Sequence, residues 1–195
     1  ANTWGPVEIL VNDAAVVWPL GPSAEVDIEQ WAAALAINVT AVARLSFALL
    51  PSMVHAGWGR IVNVSSSVAA NPAGMLRANA YATTKTALEA HTLNLAAELA
   101  GTGVAANVFR PGGVDTEMQA FIRSQDPAQV GTELHQRFVD NHQQGRLLTS
   151  EQSAASLLPR LGSFQSGQIW DASDPLSQAR AVPSAQHKSL VRRTR

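Results

Sequence analysis

The sequence predicts an α/β fold in which a parallel sheet is covered by helices on both faces. Short, continuously apolar runs alternate along the chain with longer runs of helical period. The apolar runs end in polar or hydroxyl-rich clusters, as strands do where they lead out into loops. A chain of 195 residues, 46% hydrophobic and 15% charged, is long enough to bury one core of good size.

Taken in order, residues 7–12 form the first strand, apolar apart from Glu8 and ending in Asn12. A helix is expected after Asp27, whose carboxylate can cap the first turn while Gln30 stands at the capping-box position. Trp31, Leu35, Val39 and Val42 recur at helical spacing, and Pro51 is expected to stop the helix. Asn38 is out of place in that apolar run, because an amide buried without partners costs ~1–3 kcal/mol. Hydrogen bonding to a neighbouring backbone is the bland reading of it. Residues 60–65 read as a buried parallel strand running into Ser65, Ser66 and Ser67. The loop 71–79 follows, with Met75 and Leu76 expected to reach inward. The next helix carries Leu88, Thr92, Leu95 and Leu99 on one stripe and ends at Gly101-Thr-Gly103. Residues 104–109 are a strand that breaks at Pro111-Gly112 and restarts at Thr116. Ser150 caps a helix through Leu158, and residues 168–171 make a last short strand.

The chemistry centres on Tyr81-Ala-Thr-Thr-Lys85, which holds the chain's one tyrosine. Four residues apart on a helix, the phenol and the ammonium share a face. A free tyrosine titrates near ~10, and a close positive charge lowers that value toward a usable acid or base.

Five segments in order, Ile9-Leu-Val-Asn-Asp-Ala-Ala15, the Asn38 run, Asn63-Val-Ser-Ser, Tyr81 to Lys85 and Asn107 to Met118, together resemble the short-chain dehydrogenase/reductase family. The resemblance covers roughly residues 6–174. It implies a Rossmann-type, doubly wound parallel sheet and an oxidoreductase that interconverts a carbonyl and a secondary alcohol with NAD or NADP. By the same resemblance Tyr81 is the catalytic acid/base, Lys85 its activator and ribose ligand, Ser66 the hydroxyl that holds the substrate oxygen, and Asn38 the anchor of a proton relay. Asn12, Ala14, Tyr81, Lys85, Pro111, Gly112, Val114 and Thr116 are implied as cofactor contacts. The irregular stretch 118–148 corresponds to a substrate lid, with Met118, Phe121, Ile122, Leu134, Phe138 and Val139 as candidate apolar contacts; an ordinary amphipathic helix packed on the core is the alternative. Ketone reduction needs these residue types, since a hydroxyl and a phenol stabilise charge growing on oxygen before the phenol gives up its proton.

Several positions depart from the pattern. Asp13 and Ala15 replace an Asn and a Gly, and Arg110 is expected to answer an acidic substrate or to pair with Asp13. The glycines before Tyr81 form no Gly-rich phosphate loop, so the expectation is an amino-terminally truncated member that begins at the fourth family strand, lacking the first strands. Residues 1–174 are then the catalytic region and 175–195 a basic, disordered tail. The alternative is a non-catalytic remnant serving as a binding or oligomerisation module. A homodimer or homotetramer is implied, because the helices of Asn38 and Tyr81 commonly pair across a family interface.

A net charge of −1 gives no general reason to expect nucleic acid or a membrane as partner. With no cysteine there is no disulfide and no thiolate metal site, and His135 and His142 read as surface residues rather than metal ligands. No apolar run approaches the roughly 18 residues of a membrane span, and no secretory signal is expected. A cytoplasmic enzyme acting on a small molecule is the default.

Overall fold

The computed structural model describes residues 5–175. The expected basic tail lies outside the described residues from position 176 onward.

Four parallel strands form the sheet in the order β1-β2-β3-β4, comprising Ile9–Asn12, Gly59–Val64, Val104–Arg110 and Ile169–Asp171. Every residue of β2 is buried, Arg60 and Asn63 included, as a strand covered on both faces requires. In-register pairing sets Asn12 beside Asn63 and Val64 beside Phe109, so the strands end together at one edge. Side chains alternate across the sheet. Ile61, Val104 and Ala106 pack with Met53, Leu95 and Leu99 on one face, while Val62, Val64 and Phe109 pack with Leu157 and Trp170 on the other. Full burial of each large aliphatic contributes ~1.5–3 kcal/mol. At the β1 edge the cover is incomplete: Ile9 and Val11 remain about 40% exposed, at 42% and 41%.

The first long helical segment departs from expectation in three ways. It comprises α1 (Ile28–Leu35), a π-helical turn (Ala36–Thr40) and α2 (Ala41–Ala56), so it continues through Pro51 instead of stopping there. Pro51 lies on the exposed side, and the helix ends at Gly57 in the left-handed region. Asp27 caps the start by accepting from Glu29 N at 2.9 Å, not through a Gln30 capping box. The whole segment, Ile28–Ala56, is also long and apolar enough to cross a membrane by length and composition, with a mean hydropathy of 1.8 over its best window. Asn38, Thr40, Arg44 and Ser46 interrupt the run of strictly apolar residues while the average stays high. Over its first five turns the buried stripe is Ala34, Asn38, Val42 and Ser46 at four-residue spacing, and Met53 is the large apolar residue buried nearer its end. The larger apolar residues Leu45 and Phe47 point outward instead, 52% and 57% exposed.

Helix α3 (Asn79–Glu98) buries the expected stripe of Leu88, Thr92 and Leu95, with Leu99 just beyond its end. In the preceding loop Met75 is buried, but Leu76 points out and is 68% exposed. Thr116 does not restart a strand; it is the N-cap of α4 (Glu117–Ser124). The expected lid is helical throughout most of its length, with α4 followed by α5 (Pro127–Val130) and α6 (Thr132–Gln143). Ile122 and Leu134 are buried while Met118 and Phe138 pack partly against them, and Phe121 stays exposed. Thr149, one residue before the expected Ser150, caps α7 (Ser150–Leu157) in a capping box with Gln152.

Candidate active site

Parallel strands carry their loops to a common edge, and crevices form outside the carboxyl ends of the strands. A cleft of about 800 Å³ opens there. Asp13 and Ala15 after β1, Ser65 to Val68 after β2, and Pro111 to Val114 after β3 line it, together with residues of α4 and α6.

Tyr81 and Lys85 enter the cleft from the first turns of α3, both buried. Lys85 Nζ donates to Val64 O at 2.7 Å and stands 5.7 Å from the Tyr81 ring centre. Ser66 lines the cleft with Tyr81, and its Oγ accepts from Val68 N at 3.3 Å. Ser66 thereby caps the turn Ser67–Ala69, which fixes its hydroxyl at the strand end. Burial pushes the phenol above its ordinary value; the Ser66 hydroxyl opposes that rise and the charge of Asp13 adds to it. Lys85, buried beside the phenol, is shifted as well. Burial depresses its ammonium to about 8, against a counteracting pull from Asp13.

Asn38 stands behind this wall, not on it. Its Oδ1 accepts from Val16 N at 2.8 Å, and its Nδ2 donates to Val16 O at 2.8 Å and to Thr84 Oγ1 at 3.0 Å. Thr84 in turn donates to Tyr81 O at 2.9 Å. The buried amide therefore joins the loop after β1 to the first turn of α3, and the π-helical turn at Ala36–Thr40 is where it projects. Asn12 also faces inward: its Nδ2 donates to Asn63 Oδ1 at 2.8 Å, and Asn63 Nδ2 donates to Thr92 Oγ1 at 2.8 Å. Alternation along the chain leaves Asp13 and Ala15 on the cleft, with Asn12 and Ala14 turned from it. Pro111, Gly112, Val114 and Thr116 all line the cleft. Gly112 has φ +77, and a Cβ there would stand 3.3 Å from Leu148 Cδ1.

Arg110 meets neither Asp13 nor the cleft. It forms a two-pronged pair with Glu89, Nε to Oε1 and Nη2 to Oε2, each 2.8 Å. Glu89 follows Lys85 by four residues on the face that carries Tyr81, a spacing that points to it in the sequence. Sequence reasoning also passed over Arg137, Asn141 and Gln119, which line the lid side of the cleft. Leu134, Arg137, Phe138 and Asn141 lie at helical spacing, so the stripe was legible, though only its apolar members stood out. His135 approaches Arg123 O at 2.9 Å and His142 lies 3.8 Å from Asp115. Among the described residues no group of three metal-ligating side chains converges.

The fold and the position of the site define a Rossmann-like α/β protein with its cleft at the strand ends. A family model described as short chain dehydrogenase matches residues 1–127, and the chain belongs to that family. It is 42% identical over 118 residues, 60% of its length, to a short chain dehydrogenase of Pseudocercospora fijiensis, and it spans 37% of that relative. A short chain dehydrogenase/reductase from Saccharomyces cerevisiae has a similar structure, with TM-score 0.77 and 29% identity, covering 89% of this chain and 68% of that one. Actinorhodin polyketide ketoreductase, solved with NADPH, gives TM-score 0.75 and 31% identity over 86% of this chain and 66% of that one.

Proposed function

We propose that this chain carries the catalytic half of an NAD(P)-dependent oxidoreductase that interconverts a carbonyl and a secondary alcohol. The observation that carries the reading is that Ser66, Tyr81 and Lys85 line one cleft at the strand ends, with the Lys85 amine 5.7 Å from the Tyr81 ring centre. A carbonyl oxygen set between those two hydroxyls has donors aimed at the charge that develops on it. Tyr81 delivers the proton to that oxygen on reduction and removes it on oxidation.

The residues present fit a nicotinamide cofactor. Lys85 uses one of its three N–H donors within the protein, on Val64 O, which leaves donors for a ribose diol. Thr116 Oγ1 makes only a long contact of 3.4 Å with Val114 O, and Gly112 keeps that wall free of side-chain bulk. Lys85, Pro111, Gly112, Val114 and Thr116 would hold the nicotinamide end, with Asp13 and Ala15 beside it. When bound, the cofactor supplies the hydride, and the protein supplies position and electrostatics. Asn38 anchors the proton path indirectly, by holding Thr84 and through it the turn of Tyr81.

The exposed Leu45 and Phe47, together with Ile37 and Leu93, support self-association through the faces of α2 and α3. The test of the main reading is a titration of NADH and NADPH followed by nicotinamide fluorescence, then turnover of simple ketones. Saturable binding and turnover that falls about 10²- to 10⁴-fold in Tyr81→Phe are expected. No binding up to millimolar cofactor overturns the reading for this chain and leaves a non-catalytic binding module.

A further inference from the structure

Three charged side chains line the cleft: Asp13, Lys85 and Arg137. Lys85 and Asp13 belong to the floor, where the proposed chemistry takes place. Arg137 projects from the lid helix α6 at the opposite side, next to Phe138, Asn141 and Gly74. Its Nη2 donates to Gly74 O at 2.7 Å, and its guanidinium lies 5.9 Å from the Phe138 ring centre. Among the described residues it has no carboxylate within ion-pair distance. The ion pairs there are Arg110–Glu89, Arg123–Asp115 and His142–Asp115. Asp140, the nearest acid along the helix on that side, accepts instead from Gln136 Nε2 at 2.8 Å.

The same cleft holds a polar group without a hydrogen bond. Gln119 Oε1 is a buried acceptor with no hydrogen bond, in a residue that lines the cleft. A buried acceptor left unmade is costly, so the site gains from a ligand that brings an O–H or N–H to it. Met75, Met118 and Phe138 supply the apolar surface between these polar groups and the Tyr81 floor.

We propose that the substrates are oxo acids and the matching hydroxy acids, with the carboxylate on Arg137 and the reacting oxygen at Tyr81 and Ser66. The proposal rests on the reading of the cleft as a carbonyl/alcohol site and adds the substrate class. A planar guanidinium with free N–H donors takes a carboxylate in a two-pronged geometry, which fixes the ligand's direction. An apolar spacer then crosses the Met and Phe wall. A hydroxyl or amide on that spacer is placed to donate to Gln119.

The test uses a series of aliphatic oxo acids of increasing carbonyl-to-carboxylate spacing, each beside its methyl ester. Affinity for the purified chain is read by saturation-transfer NMR and calorimetry, which require no turnover. The acid is expected to bind at least about tenfold more tightly than its ester at the favoured spacing, the scale of one charged hydrogen bond. In Arg137→Gln that preference disappears with the ester's affinity unchanged, while Arg137→Lys retains part of it. Where turnover is measurable, the loss falls on KM and not on kcat. Equal binding of acid and ester by the unaltered chain overturns the proposal. So does an Arg137→Gln variant that weakens both alike, since Arg137 would then serve only to hold the lid against Gly74. Because binding is scored apart from turnover, failure of the oxidoreductase reading and failure of this one give different results.

Discussion

Lys85 Nζ lies 2.7 Å from the carbonyl oxygen of Val64, the last residue of β2. One hydrogen bond thus ties the amine of α3 to the strand whose next two residues are Ser65 and Ser66. The amine is buried, and that burial gives it a measurable pH signature. With its folded value held down to about 8, Lys85 binds its proton more weakly in the native state than in the unfolded chain. Its contribution to stability is least favourable below pH 8 and improves as pH rises from there toward its unfolded value near ~10.4. Urea unfolding of the wild type and Lys85→Met should therefore diverge between those limits, the wild type gaining relative to the variant. A pH-independent difference would refute the depressed amine.

Asp13 acts on both titrating groups, raising Tyr81 and Lys85. Asp13→Asn should lower the titration of each. With a single tyrosine in the chain, the rise of tyrosinate absorption reports Tyr81 directly. The expected result is a tyrosinate titration above the ordinary value in the wild type and a lower one in the variant. Superimposable curves would place Asp13 too far from the phenol to matter.

The Glu89–Arg110 pair joins α3 to the end of β3 and is largely buried, with side-chain exposures of 10% and 18%. Removing one partner leaves the other charge uncompensated in a poorly solvated place. Glu89→Gln should cost roughly 2–3 kcal/mol, reduced from the fully buried range by the residual exposure of Arg110. Replacing both residues by leucine should recover part of that loss. A single-variant cost below about 0.5 kcal/mol would show the pair to be solvated like an ordinary surface ion pair.

Gly103 has φ +83, and a Cβ there would fall 1.9 Å from Gly57 O. Backbone must move to admit it, so Gly103→Ala should destabilise by about 3 kcal/mol or more by chemical denaturation. Gly101→Ala, where a Cβ meets nothing within 4 Å although φ is +82, is the control that isolates the conformational cost. Equal losses at the two positions would mean that the close approach to Gly57 is not important.

Phe47 and Leu45 expose large apolar surface on a helix that buries Val42, Ser46 and Met53 on its other side. Light scattering should find a dimer or larger assembly that Phe47→Asp converts to monomer with helical content unchanged. A monomeric wild type at micromolar concentration would remove the role proposed for this face.

The local features of the chain were legible because they depend on neighbours in sequence. Strand positions, the stripe of α3 and the Tyr81–Lys85 spacing follow from apolar periodicity and from four-residue repeats on a helix. Boundaries slipped where a single residue was read too strongly: Pro51 did not stop its helix, and Thr149 rather than Ser150 supplied the cap. What the tertiary structure alone decided was the partner of each polar group. Arg110 found Glu89, Asn38 found Val16 and Thr84, and Asn12 turned to Asn63 while Asp13 took the cleft. Sequence period says which face of an element is buried, but which element packs against that face is set by sheet order and register. For the same reason the outward apolar face of α2 and the unpaired cation of Arg137 became visible only once the helices were in place: both depend on neighbours far along the chain.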